Sequence, residues 1–275
     1  MKVKKRISSG YISESYTDRK GLGKSRPPRS LVKIRVSASG RDNLGHVSVR
    51  HQGGGSKRQF RIISSLEKLK STEAKVLELQ YDPNRTAHLA LIELDNGQKK
   101  YIIAQHNLKV GAIVKFGEKT SVKDGNRMML KNIPVGSLIS DIQLYPESKK
   151  FIARSAGTKA SLMAIEDKYA LLKLPSGELR KVNEKCFATI GQISNIEHQN
   201  IKFGYAGRKR RMGIRPSVRG KVMSPAAHPH GGGEGVNPIG LKYPKTPWGK
   251  VAIGKKTRHA KTTGRFIVRR RKAGR

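Results

Sequence analysis

Seventy-eight consecutive residues, 198–275, carry 21 Lys and Arg and a single acid, Glu234. Gly, Pro, Lys and Arg dominate this stretch and no long apolar run returns in it. Burial cannot offset the entropy of ordering such a chain, so it is expected to be disordered alone and fixed only on a partner. Residues 1–61 repeat the pattern, with 16 basic and 3 acidic side chains. Arg26-Pro27-Pro28-Arg29 is extended by its prolines, and Gly53-Gly54-Gly55-Ser56-Lys57-Arg58 reads as a flexible basic loop. An arm without a core of its own is expected there. Residues 62–197 hold 21 basic and 15 acidic side chains, the balance of an ordinary folded domain.

The formal charge of the 275-residue chain is +39. A polycation of this size repels itself unless a polyanion neutralises it, which makes nucleic acid the expected partner. No apolar run approaches the ~18 residues that span a bilayer, and no membrane partner is expected. Met1-Lys2-Val3-Lys4-Lys5-Arg6-Ile7 lacks the apolar stretch of a secretory signal, and Glu14 and Asp18 argue against an organellar presequence. The lone Cys186 excludes an intramolecular disulfide framework and a Cys-rich zinc knuckle. It lies in the apolar stretch Cys186-Phe187-Ala188-Thr189-Ile190, where a small buried hydrophobe fits. A reducing compartment follows.

From about residue 73 the pattern is β. Val76 to Tyr81 alternates apolar with polar at several positions, and Ala87 to Leu94 is apolar nearly throughout, as a central strand would be. Asp95-Asn96-Gly97 is a hairpin turn, with Lys99 to Ala104 as the returning strand and Ala112 to Phe116 as another. Such closely spaced strands suggest a small barrel of the oligonucleotide-binding type. A second set follows the extended Asn132 to Gly136: Leu138 to Leu144, Ser161 to Ile165, Tyr169 to Leu174, the turn Pro175-Ser176-Gly177-Glu178, and Leu179 to Val182. This spacing fits an SH3-like barrel. Helical periodicity is weak, and Ser64 to Lys70 reads as one turn. The expected architecture is mostly β: a basic arm over 1–60, an oligonucleotide-binding barrel over 61–125, an SH3-like barrel over 126–197, and a basic Gly-rich extension over 198–275.

The basic runs Arg208-Lys209-Arg210-Arg211 and Arg269-Arg270-Arg271-Lys272 lie where almost no acid compensates them, which favours phosphate contact over a solvated face. Arg85 ends Tyr81-Asp82-Pro83-Asn84-Arg85, and Arg154 opens Arg154-Ser155-Ala156-Gly157-Thr158. Both place a guanidinium at a strand end, where small neighbours let it reach a phosphate or a base edge. His228-Pro229-His230-Gly231-Gly232-Gly233-Glu234-Gly235 invites an enzymatic or metal reading. Helical zinc ligation needs histidines at i and i+4 on a helix, whereas this is a Gly-rich loop, and no Cys or Asp completes a ligand set. Imidazoles that stack on bases or bond to phosphates fit better, so no catalytic residue, metal or cofactor is expected. Trp248, the only Trp, is either a local staple or a stacking platform for a nucleotide.

The chain resembles the universal large-subunit ribosomal protein number two family over nearly its whole length. The residues that carry the resemblance are Gly45 to Gly55, Tyr81 to Arg85, Asn132 to Gly136, Arg154 to Thr158, Ser176 to Val182, Arg215 to Gly220, His228 to Gly235 and Gly254 to Arg258, in that order. The resemblance implies the two barrels just described, with long arms into ribosomal RNA. It implies binding to large-subunit ribosomal RNA near the peptidyl transferase centre, support of subunit joining, and contacts with other ribosomal proteins and the small subunit. No homo-oligomer is expected. With the basic runs, the resemblance gives an RNA-contacting set of Arg50, His51, Arg58, Arg85, Arg154, Lys181, Arg208, Arg210, Arg215, Arg219, His228, His230, Trp248, Lys255, Lys256, Arg258 and Arg269. The family's Tyr-Asp-Pro-Asn-Arg and Arg-Ser-Ala-Gly-Thr arginines correspond to Arg85 and Arg154. The family's His linked to peptide-bond formation corresponds to His228. His230 and Glu234 look bacterial or organellar, so the expected location is a bacterial cytoplasmic ribosome or an organellar one. One departure stands out: the family usually has an acid before that first His, and here Ala226-Ala227 precede it, which weakens a proton-transfer role. Two other classes share parts of the pattern: a DNA-compacting basic protein, and a His-dependent transferase or hydrolase acting through His228.

Overall fold

The computed structural model describes residues 1–5, 8–9, 13–34, 36–68, 72–235, 237–254 and 262–271. In chain order its strands are β1 (Lys2–Val3), β2 (Ser15–Tyr16), β3 (Val32–Ile34), β4 (Gln59–Arg61), β5 (Glu73–Gln80), β6 (Leu89–Leu94), β7 (Lys99–Ile103) and β8 (Ile113–Lys115). They continue with β9 (Arg127–Met129), β10 (Leu138–Ser140), β11 (Ile142–Gln143), β12 (Phe151–Ile152), β13 (Ala160–Glu166), β14 (Tyr169–Lys173), β15 (Leu179–Asn183), β16 (Phe187–Ile190) and β17 (Ile267–Arg269). One compact unit comprises Met1–Val36, Lys57–Tyr205 and Thr263–Arg275; a second comprises Ser37–Ser56 and Ala206–Thr262.

The first unit holds both barrels. In the oligonucleotide-binding barrel the strand order is β7-β6-β5-β8, all antiparallel. β6 is apolar on both faces because it feeds two cores. Ala90, Ile92 and Leu94 pack with Val76, Val114 and Phe116; Leu89 and Leu91 pack with Tyr101, Ile103, Leu31 and Ile193. The arm before the barrel thus supplies Leu31 to a core it does not build itself. Gly97 takes φ +73 in the expected hairpin turn, a left-handed position open to glycine without strain. The expected single helical turn is a 3-10 turn, Leu66–Lys68.

The SH3-like barrel is a sheet of order β17-β15-β14-β13-β10-β16-β9. Met128, Leu130, Ile139, Leu162, Leu172 and Val182 are its fully buried centre, with Cys186 among them. Burial pushes the Cys186 thiol up to about 12, as a small core hydrophobe requires. β9 carries no strand signal of its own in the sequence, and β16 reads there only as part of the apolar stretch Cys186 to Ile190. Each is short, and pairing between them (Phe187↔Met129, Thr189↔Arg127) makes them strands.

The stretch after residue 197, expected to lack strands, contributes one. β17 pairs with β15 through Leu179↔Arg269 and Arg180↔Ile267. Phe266 anchors it, with ring centroids 6.4 Å from Tyr145 and 6.2 Å from Tyr169. Residues just past 197 also stay with the barrels: Lys202 accepts from Ser15 N–H through its carbonyl (3.0 Å) and donates its own N–H to Ser15 Oγ (2.7 Å). Among the described residues no helix is long and apolar enough to cross a membrane.

Candidate nucleic-acid interface

Of the sequence-predicted residues in the first unit, Arg85 and Arg154 meet at a cavity of about 380 Å³ between the barrels, lined also by Arg127, Lys149, Phe60 and Phe151. The turn after β5 sets Arg85. Asp82, fully buried, accepts the Asn84 N–H at 2.9 Å in an Asx turn and bonds the Arg85 guanidinium. Arg61 lies 3.7 Å from the same carboxylate. Arg85 also sits over the Phe60 ring, 4.8 Å from its centroid. Arg58 donates to the Pro83 carbonyl at 3.0 Å, which ties β4 to this turn.

On the other wall, Asp141 holds two arginines. Its Oδ1 lies 2.7 Å from Arg154 Nε, and its Oδ2 3.2 Å from Arg127 Nη1. The Arg154 contact is ionic rather than a well-angled hydrogen bond. Arg127 is buried and saturated: Glu67 takes Nε at 2.7 Å, while the Asp141 carbonyl (2.8 Å) and Thr189 Oγ1 (2.9 Å) share Nη1. Arg154 lies over Phe151 at 4.7 Å and keeps a third of its side-chain surface exposed. Burial lowers its pKa from the ordinary arginine value; Asp141 opposes the shift, and Arg85 and Arg127 add to it. The sequence reading singled out Arg85 and Arg154 and missed Arg127, Asp141 and Lys149. A cation directly before the apolar run Met128-Met129-Leu130 was the available signal for Arg127, since a buried charge needs a partner.

The second unit is built differently. Among its described residues only Gly53 and His228 are buried. Its 16 Lys and Arg face two acids, Asp42 and Glu234. Backbone hydrogen bonds hold it together. Gly53 N–H donates to Gly213 O (2.9 Å), Ser56 N–H to Arg211 O (2.9 Å), and Arg215 N–H to His51 O (3.0 Å). A Cβ on Gly55 would lie 2.9 Å from the Gly213 backbone, so only glycine lets the two chains approach. His51 meets the Pro216 carbonyl at 3.1 Å through Nδ1.

The histidine loop is a knot of the same kind. Ser224 O accepts from the N–H groups of Ala227 and His228, His228 O from Gly231, and Met223 O from Gly232. His228 Nδ1 accepts the His230 N–H at 3.1 Å, and His230 Nε2 accepts the Lys245 N–H at 2.8 Å. A Cβ on Gly220 would fall 2.5 Å from the His228 ring, which needs that bare glycine beside it. The two rings lie 4.6 Å apart. Desolvation lowers the His228 pKa, and the nearby His230 and Arg50 lower it further; no carboxylate is among the groups that shift it.

The remaining sequence-predicted residues are distributed as follows. Arg50, His51, Arg210, Arg215, Arg219 and Trp248 are exposed in the second unit, and Arg208 and His230 are half-buried there. Trp248 keeps 74% of its surface and lies under the Arg50 guanidinium at 5.8 Å, so it is no buried staple. Arg208 and Arg210 sit on the six-residue helix Ala206–Arg211, an element the sequence did not signal. Lys181 on β15 and Arg269 on β17 are exposed in the first unit. Lys255, Lys256 and Arg258 lie outside the described residues. Among the described residues no three His, Cys, Asp or Glu gather in a way that could hold a metal.

Two family models match the sequence. Residues 28–115 match Ribosomal Proteins L2, RNA binding N-terminal domain, and residues 123–249 match Ribosomal Proteins L2, C-terminal domain. Between them they take in most of the chain.

Proposed function

Because the chain belongs to the ribosomal protein L2 family, we propose that it binds large-subunit ribosomal RNA near the peptidyl transferase centre and supports subunit association. That it is an RNA-binding protein of the large ribosomal subunit follows from the family itself. The finer reading rests chiefly on one observation: a unit with 16 cations, two acids and two buried residues among those described. Backbone hydrogen bonds contribute only about 0.5–1.5 kcal/mol each in water, and a unit without an apolar core leaves them exposed to solvent competition. Packed RNA excludes that water, and the phosphates neutralise the charge as counterions leave.

In this reading the barrels are rigid platforms for Arg85 and Arg154, and the second unit is the cationic wedge. Arg50, Arg58, Arg208, Arg210, Arg215, Arg219, Lys181, Lys255, Lys256, Arg258 and Arg269 serve phosphates; His51, His228, His230 and Trp248 add bonding or stacking. Recognition follows RNA shape, with no turnover by the protein. A His-dependent reaction finds little support, since His228 Nδ1 is already an acceptor for backbone and no carboxylate tunes the ring. The partners are the large-subunit RNA, neighbouring ribosomal proteins and the small subunit, in a bacterial or organellar ribosome.

The test is reconstitution of large subunits with and without the full chain. Incorporation together with small-subunit joining by the reconstituted particles supports the reading. Joining and RNA protection that are the same without the chain would refute it.

A further inference from the structure

We propose that Asp141 is the positioning residue that aims Arg154 at RNA, an inference that rests on the RNA-binding reading of Arg154. The backbone here is strained on both sides of one hydrogen bond. Asp141 has φ +45 and Ala153 φ +55, and the Asp141 N–H donates to the Ala153 carbonyl at 2.9 Å. Neither residue is glycine, and the left-handed conformation is unfavourable for an L-residue. The two stand at one end of the β11–β12 pair (Ile142↔Ile152), so the strain brings Asp141 beside the residue that follows Ala153, which is Arg154.

The carboxylate meets Arg154 at Nε, and the Phe151 face supports the guanidinium plane. Among the described residues no protein acceptor takes the two Nη groups. An arginine held at Nε with its outer fork open matches the bidentate geometry of a phosphate. Arg127, on the other Asp141 oxygen, is buried and saturated, and fixes the carboxylate in turn. A free carboxylate at this face of a polycation would only repel RNA; one clamped between two arginines gives up little and sets direction.

The two possible roles have opposite signs. Asp141→Asn removes a negative charge, which by electrostatics alone tightens binding to a polyanion. Loss of positioning weakens it. The experiment measures affinity of the full-length chain for large-subunit ribosomal RNA at fixed salt, with thermal unfolding followed in parallel. The variants are Arg154→Ala, Arg154→Lys, Asp141→Asn, and Asp141→Asn with Arg154→Ala. Expected are a roughly 5- to 20-fold loss for Asp141→Asn, no further loss in the double variant beyond Arg154→Ala, and a loss for Arg154→Lys close to that for Arg154→Ala. Arg154→Lys leaves the Asp141–Arg127 pair intact, so it reads positioning even if Asp141→Asn fails to fold. The inference falls if Arg154→Ala weakens binding while Asp141→Asn does not, or if Arg154→Lys binds as the parent does. If Arg154→Ala itself has no effect, the RNA-binding reading of Arg154 fails and takes this inference with it.

Discussion

His228 accepts the backbone N–H of His230 at Nδ1, 3.1 Å away, and this bond closes the turn of the Gly-rich loop. A protonated Nδ1 has no lone pair to offer, so the loop selects the neutral ring. With the folded pKa held below the ordinary 6.5, the stability this ring contributes is present above pH 6.5 and is lost as pH falls through the depressed folded value. Protection of the amides at residues 220–232, measured against the intrinsic exchange rate at each pH, should therefore fall in acid before the barrels respond, and NMR of the imidazole should give a pKa below 6.5. A ring that titrates above 6.5, or a loop insensitive to acid, would refute the assignment.

The structural pairing of Arg85 and its proposed RNA contact are separable by two measurements on one substitution. Arg85 balances the buried Asp82 and is read as facing RNA. Arg85→Ala should weaken RNA binding by about 1–3 kcal/mol if the guanidinium makes a charge-assisted contact. It should also destabilise the barrel by on the order of 1–3 kcal/mol, because Asp82 then depends on the Asn84 N–H and on Arg61 at 3.7 Å. Chemical denaturation beside RNA titration distinguishes the two. Unchanged affinity with lowered stability would make Arg85 purely structural.

Arg127 joins the barrels through Glu67 on one side and Asp141 on the other. Its removal strands the carboxylate of Glu67 and leaves Asp141 with Arg154 alone, so Arg127→Ala should cost about 3–5 kcal/mol in denaturant unfolding. Arg127→Met with Glu67→Gln should recover part of that, since each change removes a charge left without its partner. Equal losses in the single and double variants would show that packing, and not charge, is what Arg127 supplies.

Much of the first unit was legible because its signals are local. The apolar run of Leu89–Leu94 and the turn at Gly97 announce a central strand and its hairpin from neighbouring residues alone. The Arg127 lock was not legible, because its meaning lies in Glu67, 60 positions away. Nor was the pairing of 37–56 with 206–262, since contacts between glycine backbones such as Gly53–Gly213 leave no side-chain pattern. β17 failed for a related reason: three residues have no period to read, and β15 alone makes them a strand. Within the interface, Arg85 and Arg154 were visible as strand-end arginines. The carboxylates that hold them were not: Asp82 stands in the same turn as Arg85, where it reads as a turn former and not as a partner, and Asp141 is near Arg154 in space but not in sequence.

Phe266 should prove the anchor of the returning tail. It is half-buried and meets Tyr145 and Tyr169 edge-on or tilted. Aromatic pairs contribute about 0.5–1.5 kcal/mol each beyond burial, so Phe266→Ala should destabilise β17 by roughly 1–3 kcal/mol. Hydrogen exchange at residues 267–269 and 179–180 should rise together, since these backbones bond one another. Exchange that rises at 267–269 alone would mean that β15 does not depend on its partner.

Excision of the second unit's longer segment gives the most direct reading of its charge. A cut at residue 198 would tear away Lys202 and β17, which belong to the barrels. Replacement of residues 206–262 by a flexible Gly-Ser linker removes 14 Lys and Arg and one acid while leaving both anchors. The barrels should keep their cooperative unfolding, because the cores at Val76–Phe116 and Met128–Ile190 lie wholly outside the cut. Binding to large-subunit RNA should lose much of its salt dependence, by about 0.7–0.9 in the log–log slope for each phosphate contact removed. An unchanged slope would mean that the excised cations stay solvated in the complex, and that the barrels and the arm carry the electrostatics by themselves.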